Sequence, residues 1–411
     1  MNNINAKSVP PTLVFLVFFV CLFMFFTPFE QSGPSRSMLP KYLVAGIAIA
    51  LLLPLFALTK IAFKTASALV FIAMIAILLH AMVINPTPGQ FVLLIFANIF
   101  LAVVLYELSF TWRRQFVSAV SWLLYLHAAV IALQAALFYV FHDMVDFHKM
   151  LYGSDSRFVE DYLNIARFSG LQVEPGTYAN YIACLMAILL LTSEFNARVF
   201  WTASIALVSI FLTNSGSSVY FVPVMLTMLA YLGKKRIKLK HVVWLALAIA
   251  VYLFFSGILA HLETRFFQQD DGSLSHRVDG VNAYMSTTWE EKFAGIGFGA
   301  DPCVRCYYQD IGATFNLLTR GGVLVAMALA LLLFRAIAVH GLVLATILFL
   351  IPLNEKMFFY EAPLWLFILF ATTALRNARP ARKRQADLRQ YPPEPGQLIG
   401  FGQAHAAARQ S

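Results

Sequence analysis

The chain alternates long apolar runs with short polar breaks. A membrane-spanning helix needs roughly 20 mostly apolar residues, because the hydrocarbon layer is about 30 Å thick and a helix rises about 1.5 Å per residue. Runs of this kind centre near residues 20, 50, 75, 99, 128, 185, 206, 225, 250, 326, 344 and 368, which predicts about twelve transmembrane helices. The expected fold class is therefore all-α, a polytopic integral membrane protein. Residues 1–375 form its membrane domain, and two long segments, 142–177 and 260–312, lie outside the bilayer. The seventh and eighth runs are short and are split only by Thr213 to Ser217. The run after Lys7 leaves through Phe25, Phe26, Thr27, Pro28 and Phe29. That exit offers no small-residue cleavage site, so the run reads as a retained first span. No internal repeat is visible, and with it goes the inverted-repeat signature of many secondary transporters.

Charge gives the runs a direction. Lysine and arginine in short connections stay on the cytoplasmic side. With the N-terminus inside, the inner connections hold Lys60 and Lys64, Arg113 and Arg114, and Lys234, Lys235, Arg236, Lys238 and Lys240. The tail adds Arg376, Arg379, Arg382, Lys383 and Arg384. Most outer connections are nearly devoid of such residues; the first, with Arg36 and Lys41, is the exception. Both termini are thus expected in the cytoplasm, with 142–177 and 260–312 on the outer face. The basic tail, 376–411, contains Pro392, Pro393 and Pro395 and has the composition of a disordered segment.

Composition agrees. Of the 411 residues, 60% are hydrophobic and 12% charged, with a mean hydropathy of +0.73, against about 25% charged in soluble domains. The net charge of +9 sits at helix ends rather than along one polar face with interleaved aromatics, so no nucleic-acid partner is expected. Lipid is the partner that the composition demands.

Candidate chemistry lies in the two long segments, since long loops tend to carry function. The first ends Ala166-Arg167-Phe168-Ser169-Gly170-Leu171-Gln172-Val173-Glu174-Pro175 and runs into the sixth span. An arginine and a glutamate at a membrane surface interact strongly with a charged ligand. Pro175 suits the first turn of a helix, whose exposed N–H groups favour an anion. The competing reading is that Arg167 and Glu174 pair with each other or reach into lipid headgroups. The second segment holds Arg265, then Ser275-His276-Arg277-Val278-Asp279-Gly280, then Gly295-Ile296-Gly297-Phe298-Gly299. His276 is a candidate base, set against an ordinary solvated loop histidine. Arg277 is a candidate diphosphate ligand. The glycine run is expected as a tight turn, because no strand precedes it as a nucleotide fingerprint would require. Cys303 and Cys306 fit a loop disulfide better than redox catalysis. Cys21 and Cys184 read as small buried hydrophobes. Glu355 and Lys356 read equally as an interfacial ion pair or a functional pair. No metal site and no cofactor are expected.

Taken together, these features resemble the bacterial O-antigen polymerase and O-antigen ligase superfamily. The likeness covers the helix plan and both loops, roughly residues 10–375, and is strongest at Arg167-Phe168-Ser169-Gly170 with Glu174-Pro175. Leu212-Thr213-Asn214-Ser215-Gly216, the glycine run and Leu318-Thr319-Arg320-Gly321-Gly322 add to it. The resemblance implies a metal-independent glycosyltransferase of the bacterial inner membrane, acting on a polyprenyl-diphosphate-linked glycan donor and a glycan acceptor. It leaves room for a chain-length regulator and a flippase as partners. It also implies that Arg167, Arg277 and Arg265 bind the donor diphosphate, with His276 and Glu174 as the candidate catalytic groups. Other members place a glycine at fixed distance after the histidine. Here Gly280 follows His276, then nothing suitable until Gly295, which leaves the base open. The expected function is polymerisation of repeat units in exopolysaccharide, capsule or O-antigen synthesis. An O-antigen ligase, or a non-catalytic transporter or assembly protein, is the alternative. A transporter would be expected to place polar residues mid-span, and the span centres read as almost purely Leu, Ile, Val, Phe and Ala.

Overall fold

A computed structural model describes residues 9–27, 39–59, 63–84, 86–156, 166–234, 247, 272–298, 311–354 and 360–373. The described residues contain no strand. In order, the helices are α1 (Pro11–Phe26), α2 (Leu39–Ala57), α3 (Thr65–Leu79, prolonged by a wider π turn, His80–Ile84), α4 (Gly89–Thr111), α5 (Arg113–Phe141), α6 (Phe147–Tyr152) and α7 (Pro175–Thr192). They continue with α8 (Ala197–Leu212), α9 (Gly216–Gly233), α10 (Gly272–Met285), α11 (Trp289–Ala294), α12 (Ala313–His340), α13 (Leu342–Leu353) and α14 (Ala362–Ala371). Seven of them are long and apolar enough to cross a membrane, and α1, α8, α13 and α14 are shorter apolar helices. The chain is thus an all-helical protein of membrane type. The apolar run near residue 250, Cys303, Cys306, Glu355, Lys356 and the 376–411 tail lie outside the described residues.

The hub of the bundle is α7. All 18 of its residues are buried, and it packs against α5, α8, α9 and α14. Outer helices are apolar on the exposed side as well: Leu43, Ile47 and Leu53 of α2 are about half exposed, as lipid-facing side chains should be. Two further helix pairs, α1 with α5 and α12 with α3, close the bundle around this hub. At one end, Lys64 and Glu107 join α3 to α4. The Lys64 ammonium is 2.7 Å from a Glu107 carboxylate that is only 2% exposed, and Ser67 and the Lys64 backbone N–H also donate to it. Lys64 lies 3.6 Å over the Phe110 ring. A buried carboxylate persists only when paired and hydrogen-bonded in this way.

The interior is more polar than the apolar runs suggest. His127, midway along α5, is fully buried, its ring 5.9 Å from that of Tyr178 on α7. Asn180 and Ser204 are buried as well. The expectation of purely apolar span centres is corrected to that extent: isolated polar residues vanish from a hydropathy average, although they face the protein interior.

The opposite end of the bundle, called here the loop end, gathers the segments between helices. Capping fixes their borders: Asp146 accepts the Lys149 N–H at the start of α6, and Ser215 that of Ser218 at the start of α9. Thr288 and Glu291 form a reciprocal capping box on α11, satisfying N–H groups that a helix start leaves over.

Candidate functional site

The segment carrying Arg167 is held in place from four directions. Phe168 is buried and packs edge-on against Phe138 and Tyr139 of α5. The Gln134 side-chain oxygen accepts the backbone N–H groups of Ser169 at 3.2 Å and Gly170 at 2.9 Å, while its amide donates to the Val145 carbonyl at 2.9 Å. From the α8–α9 turn, Asn214 donates to the Ala166 carbonyl at 2.8 Å. Gln172 donates to the Phe26 carbonyl at the end of α1, at 2.5 Å. His148 of α6 contacts the Leu171 carbonyl through Nδ1 at 2.9 Å. A carbonyl only accepts, so Nδ1 donates, and the Ser154 hydroxyl lies 3.2 Å from Nε2. Gly170 turns the chain with φ +58°, and a Cβ there would come within 3.2 Å of the Tyr178 ring.

Arg167, partly buried, therefore projects from backbone fixed one residue before it and two after it. Tyr152 of α6 ties the same region to the end of α1 by donating to the Thr27 carbonyl, and burial pushes its phenol above the ordinary value. It stays a donor throughout the physiological range.

Glu174 stands at the N-cap of α7 with Pro175 as the first helical residue. Its side chain makes no capping hydrogen bond. The first turn of α7 therefore presents N–H groups from Gly176 and Thr177 with no carbonyl behind them inside the helix, and the helix dipole adds partial positive charge there.

In the second segment, α10 carries His276 and Arg277, both partly buried. Arg277 donates to the Asn354 side chain just beyond α13 at 2.5 Å. Arg265 lies outside the described residues. The described part of the glycine run, Gly295 to Phe298, is not a tight turn as expected; it docks onto α12. Ile296 and Gly297 donate their backbone N–H groups to the carbonyls of Thr319 and Arg320, each at 3.0 Å. These carbonyls are reachable because Gly322 breaks the helix with φ +54° and ψ −149°. A Cβ on Gly295 would sit 2.4 Å from the Arg320 oxygen, and one on Gly322 would sit 2.3 Å from the Phe293 oxygen. The glycines permit close backbone contact. Arg320, 5% exposed, reaches Asn316 at 2.8 Å and the Gly297 carbonyl at 3.1 Å, and His80 bonds the Ala294 carbonyl.

A third group lies where α2, α7 and α14 meet. The Tyr181 hydroxyl donates to Glu361 at 2.5 Å, and the Lys41 ammonium is 4.0 Å from the other carboxylate oxygen. Lys41 also lies 4.6 Å over the Tyr360 ring, and Asn98 donates to the Tyr360 carbonyl at 2.8 Å. Lys41, Asn98, Tyr360 and Glu361 line a cleft completed by Met24, Phe25 and neighbouring apolar groups.

The expected site residues thus fall into two frames. Arg167 and Glu174 share one continuous anchored segment, whereas His276 and Arg277 belong to α10 and are tied to the end of α13. Sequence reasoning missed Gln134, His148 and the Lys41–Tyr181–Glu361 group, and it held Gln172, Asn214 and Arg320 only as members of motifs, without the anchoring roles that the structure gives them. A glutamine inside an apolar run was the available signal for Gln134. No family model matches the chain, and no curated protein matches it.

Proposed function

We propose that the protein is a polymerase of polyprenyl-diphosphate-linked oligosaccharide repeat units, working in exopolysaccharide, capsule or O-antigen synthesis. In this reading the chain crosses the bacterial inner membrane about twelve times, with both termini cytoplasmic and the loop end in the periplasm. The observation that supports it is the anchoring of the Arg167 backbone in the segment that runs into the N-terminus of α7. A guanidinium held on rigid backbone, with helix N–H groups following it in the same segment, is suited to a diphosphate.

The chemistry asks for little else. An acceptor sugar hydroxyl attacks the anomeric carbon of the donor; the bond from that carbon to the diphosphate oxygen breaks, and the diphosphate departs on its lipid. Charge developing on the leaving group is what fixed donors stabilise. Arg167 supplies that stabilisation, with Arg277 and Arg265 assigned to the same ligand. Glu174 and His276 are the candidates for the proton. A lipid-linked donor is the natural substrate on a face that lacks nucleotide sugars.

Deleting the gene and extracting the lipid-linked glycans tests the reading. Single repeat units accumulating on the carrier are the expected result. Complete polymer stranded on the carrier would assign a ligase instead, and an unchanged lipid-linked pool with normal polymer would refute both.

A further inference from the structure

We infer that α10 and α11 form one interfacial unit that lies in the lipid headgroup region on the loop-end side of the bilayer, seated there by Val278, Val281, Met285, Trp289 and Phe293. This rests on the membrane-type fold and stands apart from the polymerase reading.

Lys292 of α11 joins the two helices. Its ammonium donates to the Met285 carbonyl at the end of α10 at 2.8 Å, and it lies 5.6 Å from the centre of the Trp289 ring and 6.0 Å from that of Tyr284. The two sides of α10 differ. Gly280 is buried, and Ala283 and Tyr284 pack on Ile311 shortly before α12. At about 3.6 residues per turn, Val278, Val281 and Met285 fall on the opposite side, and all three are exposed. On α11, Trp289 and Phe293 stand one turn apart and are 82% and 68% exposed.

An exposed apolar stripe of this kind marks an interaction surface, and its level on the bundle says with what. His80 of α3 bonds the Ala294 carbonyl at the end of α11, and the Ile296 and Gly297 N–H groups donate to the Thr319 and Arg320 carbonyls. Thr319 follows Ala313, the first residue of α12, by six residues, so the docking point lies about 9 Å of helix axis below the loop-end tip of α12. With 28 residues, α12 is about 42 Å long and overhangs a hydrocarbon layer of about 30 Å by about 12 Å in all. The unit is therefore docked at the border of hydrocarbon and headgroups rather than in the water beyond them.

Neighbouring helices are apolar and exposed near this level as well: Met82 and Val83, which closely follow His80, and Phe315 in the first turn of α12. The stripe thus continues a lipid-facing surface. Exposed Asp279, Asn282, Ser286, Glu290 and Glu291 accompany it, and aromatic and apolar groups with polar neighbours are what a helix lying in the interface presents. With the stripe in lipid, the partly buried side of α10, which carries His276 and Arg277, is held at headgroup height.

The test uses purified full-length protein in nanodiscs of phosphatidylcholine and phosphatidylglycerol. Lipid brominated near the top of its acyl chains is the quenching probe from the membrane, and iodide the one from water. The difference between wild-type and Trp289→Phe emission isolates Trp289. Brominated lipid should lower that difference by about twofold or more, as a ring at the interface requires, and iodide should lower it less. Stronger quenching by iodide than by brominated lipid would place Trp289 in water and overturn the inference. Quenching by neither would mean that protein, such as a second copy of the chain, covers the stripe, and would overturn it too. If Trp289→Phe does not insert, Phe293→Trp supplies an added emission that is read in the same way, with the same outcomes deciding.

Discussion

The side-chain oxygen of Gln134 accepts the backbone N–H of Gly170 at 2.9 Å, across 36 residues of chain. Gln134 lies in a helix that hydropathy reads as a plain span, and its amide group serves as the socket for the Arg167 segment. Three backbone groups, two of them buried, depend on that one side chain.

Gln134→Leu should therefore loosen the segment without touching Arg167. It leaves the Ser169 and Gly170 N–H groups and the Val145 carbonyl without their partner, at about 1–3 kcal/mol for each buried group left unsatisfied. A lower unfolding temperature in detergent and reduced polymer are expected. Gln134→Glu keeps the acceptor and should be milder. A Gln134→Leu protein as stable and active as wild type would show that the socket is dispensable.

Arg167→Ala should abolish polymer while the protein remains in the membrane at normal abundance. Each charge-assisted hydrogen bond is worth about 1.5–3 kcal/mol, or roughly ten- to a hundredfold in rate when it acts in the transition state. Arg167→Lys retains the charge but loses the planar fork, so it should recover only part of the activity. Polymer length and amount, read alongside protein level, check this; an inserted alanine variant making normal polymer would remove Arg167 from the site.

Gly322→Ala and Gly295→Ala should each destabilise the protein strongly. Both glycines have positive φ, +54° and +83°, and a Cβ on either would lie within 2.4 Å of a backbone oxygen. The backbone conformation alone is worth about 1–3 kcal/mol of strain to a residue with a side chain, before the clash is relieved. Gly46→Ala is the control. Nothing lies within 4 Å of the methyl group there, and alanine is favoured over glycine inside a helix by about 0.5–1 kcal/mol, so it should be neutral or stabilising. Thermal unfolding of the three variants side by side would separate these outcomes.

Single cysteines placed at Ser154, Ser273 and Ser411, in a background without Cys21, Cys184, Cys303 and Cys306, report the topology through an impermeant thiol reagent. Ser154 and Ser273 should label in intact cells with the outer membrane permeabilised, and Ser411 only after lysis. Labelling of Ser411 in such cells would reverse the assigned orientation.

The sequence by itself determined the apolar helices, though not the short α6, α10 and α11 inside the two segments read as loops. Apolar runs near residues 20, 50, 75, 99, 128, 185, 206, 225, 326, 344 and 368 all fall within or at the edge of helices. In lipid a backbone must satisfy its hydrogen bonds within its own segment, so hydropathy read locally is enough. Pro175 at the first position of α7 was legible for the same reason, since a helix start depends only on neighbouring residues.

What the tertiary structure decided is where chemistry can occur. It turned the expected turn at Gly295 into a backbone contact with Thr319 and Arg320, placed His127 and Asn180 inside the bundle, and joined Tyr181 to Glu361 across 180 residues. Gln172 reaches Phe26 across 146 residues and Asn214 reaches Ala166 across 48. None of these pairs has a periodicity to betray it. A hydrogen bond needs two groups within about 3 Å at the right angle, and for residues this far apart in the chain that geometry is set by helix packing, which no local pattern of apolar and polar positions encodes.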